Sequence, residues 1–265
     1  MAVYLGSTKV GTTIVDRPLG IPLAVNSNGK LIKPSISFAW SLPSNVIDAG
    51  GYALSHAFQT CTGLTSVDLS SLTTISGSNA MDYTFQYCTS LTSVDLSSLT
   101  TVSGNYAMSG AFQECTGLTS VDLSSLTTIS GNNAMGYTFQ DCKIVSIDLS
   151  SLTTVSGIGA MQYAFWLCSS LTSVDLSSLT TISGNTAMQY AFSGCTSLQT
   201  LSFPALTSTS FGSNTNQFYG MLSGVTGCTV HFPSNLQSVI GSWSSVTSGF
   251  GGTNTTVLFD LPATT

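Results

Sequence analysis

Charge is what this 265-residue chain has least of. Lys and Arg number 5, Asp and Glu 11, and charged residues make up 6% of the sequence, against roughly 25% in ordinary soluble domains. Few cations, spread thinly, exclude a phosphate-tracking nucleic-acid surface, which needs clustered Lys and Arg. Histidine is almost as scarce: His56 and His231 lie towards opposite ends. No G-x-S-x-G motif, P-loop or paired C-x-x-C accompanies them, so neither a Ser–His constellation nor a zinc site is expected, and an enzyme is not the reading. No apolar run approaches about 18 residues, so no membrane-spanning helix is expected. The opening MAVYLGSTKVGTT lacks the apolar core of a cleaved secretory signal.

The charge that exists is uneven. Residues 1–33 carry Lys9, Arg17, Lys30 and Lys33 against Asp16, a net of +3; residues 34–265 carry ten acids and Lys143, a net of −9. Ser, Thr, Gly and Asn supply the rest of the polar surface. Hydroxyl- and amide-rich surfaces of this kind suit an extracellular or virion surface better than the cytosol.

What is abundant is repetition. From Leu64 the chain reads LTSVDLSSLTTISGSNAMDYTFQYCTS, and near-copies start at Leu91, Leu118, Val145 and Leu171. The cysteines mark the register: Cys61, Cys88, Cys115, Cys142, Cys168 and Cys195 are 27, 27, 27, 26 and 27 residues apart, with a one-residue deletion at Lys143-Ile144. Residues 41–61 and 198–211 are divergent first and last copies, as expected of repeats that must cover an exposed apolar end. Three segments follow: an N-terminal β cap or attachment segment (1–40), a solenoid of 27-residue units (41–211) and a C-terminal β-rich cap (212–265).

Within a unit, Ser66-Val67-Asp68-Leu69-Ser70 alternates, which predicts a short strand with Val67 and Leu69 inward. Leu64, Leu72 and Ile75 add core anchors, and Gly77 permits a turn. Met81, Phe85 and Cys88 stand at i, i+4 and i+7, which predicts a short helix with Asn79 as its cap. The expected architecture is therefore an α/β repeat, a solenoid with a parallel β-sheet on one face and short helices on the other. A parallel β-helix is the alternative. In the flanks, Ile36, Phe38 and Trp40 read as a strand, Asn26-Ser27-Asn28-Gly29 as a hairpin turn, and Thr229–Phe232 and Thr256–Phe259 as strands.

The order L-x-x-V-x-L-x-x-L-x-x-I, followed by A-x-x-x-A/T-F-x-x-C, resembles the BspA-type (Treponema pallidum-type) leucine-rich repeat over roughly 170 residues. That resemblance implies a right-handed leucine-rich-repeat solenoid and the company of bacterial adhesins, protist surface proteins and some phage-encoded proteins. The N-terminal Val3-Tyr4-Leu5-Gly6-Ser7-Thr8-Lys9-Val10 resembles the start of some phage tail-associated proteins over a short stretch.

Three constellations are candidates for function. The periodic cysteines each follow Phe by three residues, which reads as a buried, reduced ladder of small hydrophobes; Cys228 is outside the register. Asp68, Asp95, Asp122, Asp148 and Asp175 share one outward strand position, about 4.8 Å apart across parallel strands. Such a row is either a solvated ladder or a Ca²⁺ site, and mutual repulsion is expected to raise some of its pKa values. No other cofactor is implied. Trp166-Leu167 replaces polar pairs in the other copies, and reads either as an interface anchor or as a side chain folded onto its neighbour. The leading functional expectation is a non-enzymatic binding or adhesion module for a protein or glycan on a virion or cell surface. The alternative is a structural protein that self-associates into a filament or sheath.

Overall fold

The computed structural model describes residues 37–42, 44, 47–211 and 216–264, with four two-residue strands between Lys9 and Ile32. Among these last, Lys9–Val10 pairs antiparallel with Thr13–Ile14, and Ala24–Val25 with Leu31–Ile32. The second pair frames the expected hairpin, whose loop lies outside the described residues, as do Ile36 and the first three prolines.

From Phe38 onward the chain is a parallel-strand solenoid of stacked coils, each coil one repeat with three walls. The first wall is built by the alternating Ser-Val-Asp segments. Phe38–Ser41, Leu64–Asp68, Ser93–Asp95 and Ser120–Asp122 pair in parallel, with a register shift between Phe38 and Ala39, and then Trp40 beside Val67 beside Val94 beside Val121. Ser146–Asp148 and Ser173–Asp175 continue it as a second parallel pair. The deletion at Lys143-Ile144 falls at the join, where the Val145 N–H reaches Thr119 O at 3.4 Å. Thr200–Ser202, Thr229–Pro233 and Thr256–Leu261 add three more parallel strands. The second wall is a five-stranded parallel sheet of two-residue strands: Thr74–Ile75, Thr101–Val102, Thr128–Ile129, Thr154–Val155 and Thr181–Ile182.

The third wall corrects the helical expectation. The segment from Asn79 to Cys88 is a run of linked turns. Its even-numbered residues donate within the coil, three residues back: Asp82 N–H to Asn79 O, Thr84 to Met81, Gln86 to Tyr83. Its odd-numbered residues donate to the next coil: Met81 to Ala107 O, Tyr83 to Ser109, Phe85 to Ala111. Asn79, Tyr83 and Tyr87 take positive φ at four-residue intervals, and the left-handed residue tightens each turn. Ala80, Met81, Thr84, Phe85 and Cys88 are buried in the same four-residue rhythm.

The reason lies in spacing. Helices pack 8–10 Å apart, whereas the strands of the first two walls are about 4.8 Å apart. A helix also consumes every N–H internally. A turn ribbon leaves half of its donors for the neighbouring coil, so all three walls can advance by one common step. The core reports that step. Phe58, Phe85, Phe112, Phe139, Phe165 and Phe192 stack face to face, with centroids 5.2, 5.2, 5.5, 5.5 and 5.6 Å apart. Trp40 closes the column at 4.7 Å from Phe58. Columns of Leu, Val or Ile, Met and Cys run parallel to it, nearly all fully buried. The helices described are two four-residue segments near the C-terminus, Gln237–Ile240 and Ser244–Thr247, and two 3-10 turns, Ser234–Leu236 and Gly249–Gly251.

Candidate binding face

The first wall presents Asp68, Asp95, Asp122, Asp148 and Asp175 on its solvent side, all exposed, in register across the strands. Each carboxylate does the same local task. Its Oδ1 accepts the backbone N–H of the serine two residues on: Ser70 and Ser150 and Ser177 at 2.9 Å, Ser97 and Ser124 at 3.0 Å. The Ser70 and Ser124 hydroxyls donate to the same oxygen at 2.6 and 2.7 Å. These are Asx turns, which steer the chain from the first wall towards the second. They also reverse the expected titration at two positions. Hydrogen bonds from the Ser70 and Ser150 side chains, then from their N–H groups, hold Asp68 and Asp148 below the usual carboxylate range. A bond to the ionised oxygen outweighs repulsion between exposed charges, which is worth only about 1 kcal/mol at 4 Å in water.

Between the Ser and Asp rows runs a shallow trough of about 880 Å³, from Ala39 and Trp40 to Asp148, with the buried Val67, Val94 and Val121 as its floor. A second hollow of about 500 Å³ continues it from Ser146 to Pro204. Among the described residues no three His, Cys, Asp or Glu side chains converge as a metal site would require. Past Asp175 the row changes character. Ser202 and His231 pair in register, and His231 Nδ1 lies 2.9 Å from Asp260 Oδ1. That pair was not foreseen; laying Thr229-Val230-His231 over Ser173-Val174-Asp175 puts His231 in the Asp column, but its register partner is Leu258, and Asp260 lies two residues further on.

Trp166 and Leu167 lie on the third wall. Gln59, Gln86, Gln113 and Gln140 form a side-chain amide ladder there, Gln86 to Gln113 at 2.7 Å and Gln113 to Gln140 at 2.6 Å. Trp166 takes the next place in that column. It is half-buried, its ring 5.4 Å from Tyr163 and 6.4 Å from Tyr137, at the side of a Tyr137–Tyr163–Tyr190 stack with 4.7 and 4.9 Å spacings. Leu167 is 40% exposed and adopts φ 61°. His56 stacks on Tyr83 at 5.4 Å, at the place where other coils carry Tyr.

All seven cysteines are buried, and none forms a disulfide. Each S–H from Cys88 to Cys195 donates to the carbonyl of the Phe one coil earlier, at 3.0–3.2 Å. Burial pushes Cys168 up to about 12 and Cys228 to about 11. Thiolates, the reactive species, are thereby suppressed.

The repeat matches a known family model. Models of the BspA type leucine rich repeat region match residues 41–156, 81–222 and 185–238, with six copies. No curated protein matches the chain. Among solved structures it is similar to the TLR13 chain of a TLR13–ssRNA13 complex, with 18% identity over 80% of this chain and 27% of that one, TM-score 0.41. It is also similar to a chain of the Toll–Spatzle complex of Drosophila, with 14% identity over 80% of this chain and 34% of that one, TM-score 0.24. The chain thus spans about a quarter to a third of those proteins' lengths. With repeat models matching from the first divergent copy through residue 238, and Phe-x-x-Cys recurring at Cys61, Cys88, Cys115, Cys142, Cys168 and Cys195, the chain belongs to the BspA type leucine rich repeat family.

Proposed function

We propose that this chain is a non-enzymatic binding or adhesion module that works on a cell or virion surface and holds a protein or glycan along its first wall. The supporting observation is the trough: a continuous open hollow whose rims repeat one hydroxyl and one carboxylate per coil. One oxygen of each Asp is committed to its Asx turn, and the other faces solvent as an acceptor for ligand N–H or O–H groups. Five equivalent rungs bind by repetition, so weak contacts add along an extended ligand.

The test is binding of the purified chain to intact cells and to immobilised glycans, with Asp95→Lys/Asp122→Lys as the trough variant. Retained circular dichroism with at least about tenfold weaker binding, or 1.4 kcal/mol, is expected. Undiminished binding by that variant removes the trough from the reading. A wild-type chain that binds nothing and forms large species in light scattering favours the self-assembling filament instead.

A further inference from the structure

The second wall carries a feature that binding along the first does not use. Its strands align without a bulge, Thr74 beside Thr101, Thr128, Thr154 and Thr181. The buried Ile75, Val102, Ile129, Val155 and Ile182 point inward, so by strand alternation the threonines and the following Ser76, Ser103, Ser130, Ser156 and Ser183 point outward. The ladder continues through those serines, since the N–H of Ser103, Ser130, Ser156 and Ser183 each donates to the Ile or Val carbonyl of the preceding coil at 2.9–3.1 Å. The outer face is therefore a two-dimensional array of Thr methyl and hydroxyl groups and Ser hydroxyls. It repeats about every 4.8 Å across coils and about every 6.7 Å along each strand.

Two further observations bear on what such an array fits. The adjacent threonine row is tied from coil to coil: the Thr100, Thr127, Thr153 and Thr180 hydroxyls donate to the carbonyl one coil back at 3.0–3.1 Å. The array is also uncharged. The Leu-Ser-Ser-Leu-Thr-Thr-Ile/Val-Ser-Gly stretches contain no ionisable residue. Asp48, beside the first coil, lies at its margin and accepts from the Ser76 hydroxyl at 2.7 Å.

Proteins without such a repeat and single glycan chains have no matching two-dimensional lattice; crystalline surfaces do. Mineral lattices expose ions and call for carboxylates, which here lie on a different wall. A neutral array of hydroxyls and methyls complements a neutral lattice of oxygens, and the oxygen repeats on the prism face of hexagonal ice fall close to both spacings. We propose that the second wall is an ice-binding face, which orders water between its Thr and Ser rows into the lattice of the crystal.

The test is thermal hysteresis and crystal shape in a nanolitre osmometer, using the full chain. Wild-type protein is expected to facet growing ice and to give hysteresis that rises with concentration. Thr128→Lys, at the centre of the face, should lose most of it while keeping its melting temperature and circular dichroism; Asp122→Asn, on the first wall, should keep it. Should Thr128→Lys fail to fold, the smaller Thr128→Ser, which removes one methyl, is expected to lower hysteresis measurably. No hysteresis in the wild type, equal hysteresis in the folded Thr128 variant, or equal loss in Asp122→Asn would overturn the proposal. So would sedimentation showing that Thr128→Lys dissociates an oligomer, because the face would then be a contact between copies.

Discussion

Adding one methyl group to Gly131 tests whether the common step between coils is as rigid as the packing implies. A Cβ there falls on the carbonyl carbon and oxygen of Gly104 and on Ser103 O, all backbone atoms of the preceding coil. No side chain can rotate away, so the coils themselves must separate. The Ser130 N–H to Val102 O bond (3.0 Å) and the Asn132 N–H to Asn105 Oδ1 bond (2.9 Å) lie directly beside the clash. Losing two such bonds costs about 1 kcal/mol each, and overpacking typically costs about 1–3 kcal/mol. Gly131→Ala should therefore lose about 3–5 kcal/mol, a large share of the roughly 5–15 kcal/mol of a typical domain. Gly136→Ala is the matched control, because its nearest contact is Asn133 O at 3.4 Å. It should stay within about 1 kcal/mol of wild type, helped by the lower entropy of its unfolded chain. Urea unfolding of both variants reads the difference. Hydrogen exchange should locate the weakening at the amides of the coils flanking Gly131, since each coil contacts only its neighbours. If Gly131→Ala is no less stable than Gly136→Ala, the inferred close approach of the backbones is wrong.

Two other outcomes are expected. Met188 N–H donates to Gln217 O at 2.9 Å, as Met81, Met108, Met135 and Met161 donate to Ala107, Ala134, Ala160 and Ala187, which places Gln217 next in that buried alanine column. Gln217 is fully buried, and neither its Oε1 nor its Nε2 meets a partner among the described residues. Gln217→Met should raise the urea midpoint, by about 1–3 kcal/mol of stability; a lower midpoint would mean that the amide is satisfied. Asp148 has a lowered folded pKa, so its contribution is present above the unfolded value of about 3.9 and lost as pH falls through the folded one. Asp148→Asn should melt below wild type at pH 7, and the gap should close as the pH falls through the lowered folded value. A gap that stays constant with pH would show that the charge on Asp148 is not what its turn uses.

The acid row shows how far local sequence carries and where it stops. That five aspartates line one face follows from alternation and period alone. Which way Asp68 and Asp148 shift does not, because the serine two residues on becomes a partner only when the chain turns there. Trp166 is similar: its departure from the Gln column is visible in the sequence, but its contact with Tyr137 depends on which ring the preceding coil brings alongside.

The repeat itself determined most of the architecture. Self-similarity set the coil length, alternation at Ser66–Ser70 set the first wall, and the recurring Leu, Ile, Phe and Cys positions named the core. The third wall was decided only in three dimensions. Met81, Phe85 and Cys88 suit a 3.6-residue helix and a four-residue turn ribbon almost equally well, so spacing within one repeat cannot separate them. The distance between repeats does. With two walls fixed at the step of parallel strands, a helix is too wide and keeps its hydrogen bonds to itself, while a ribbon of turns matches the step and bonds to its neighbours.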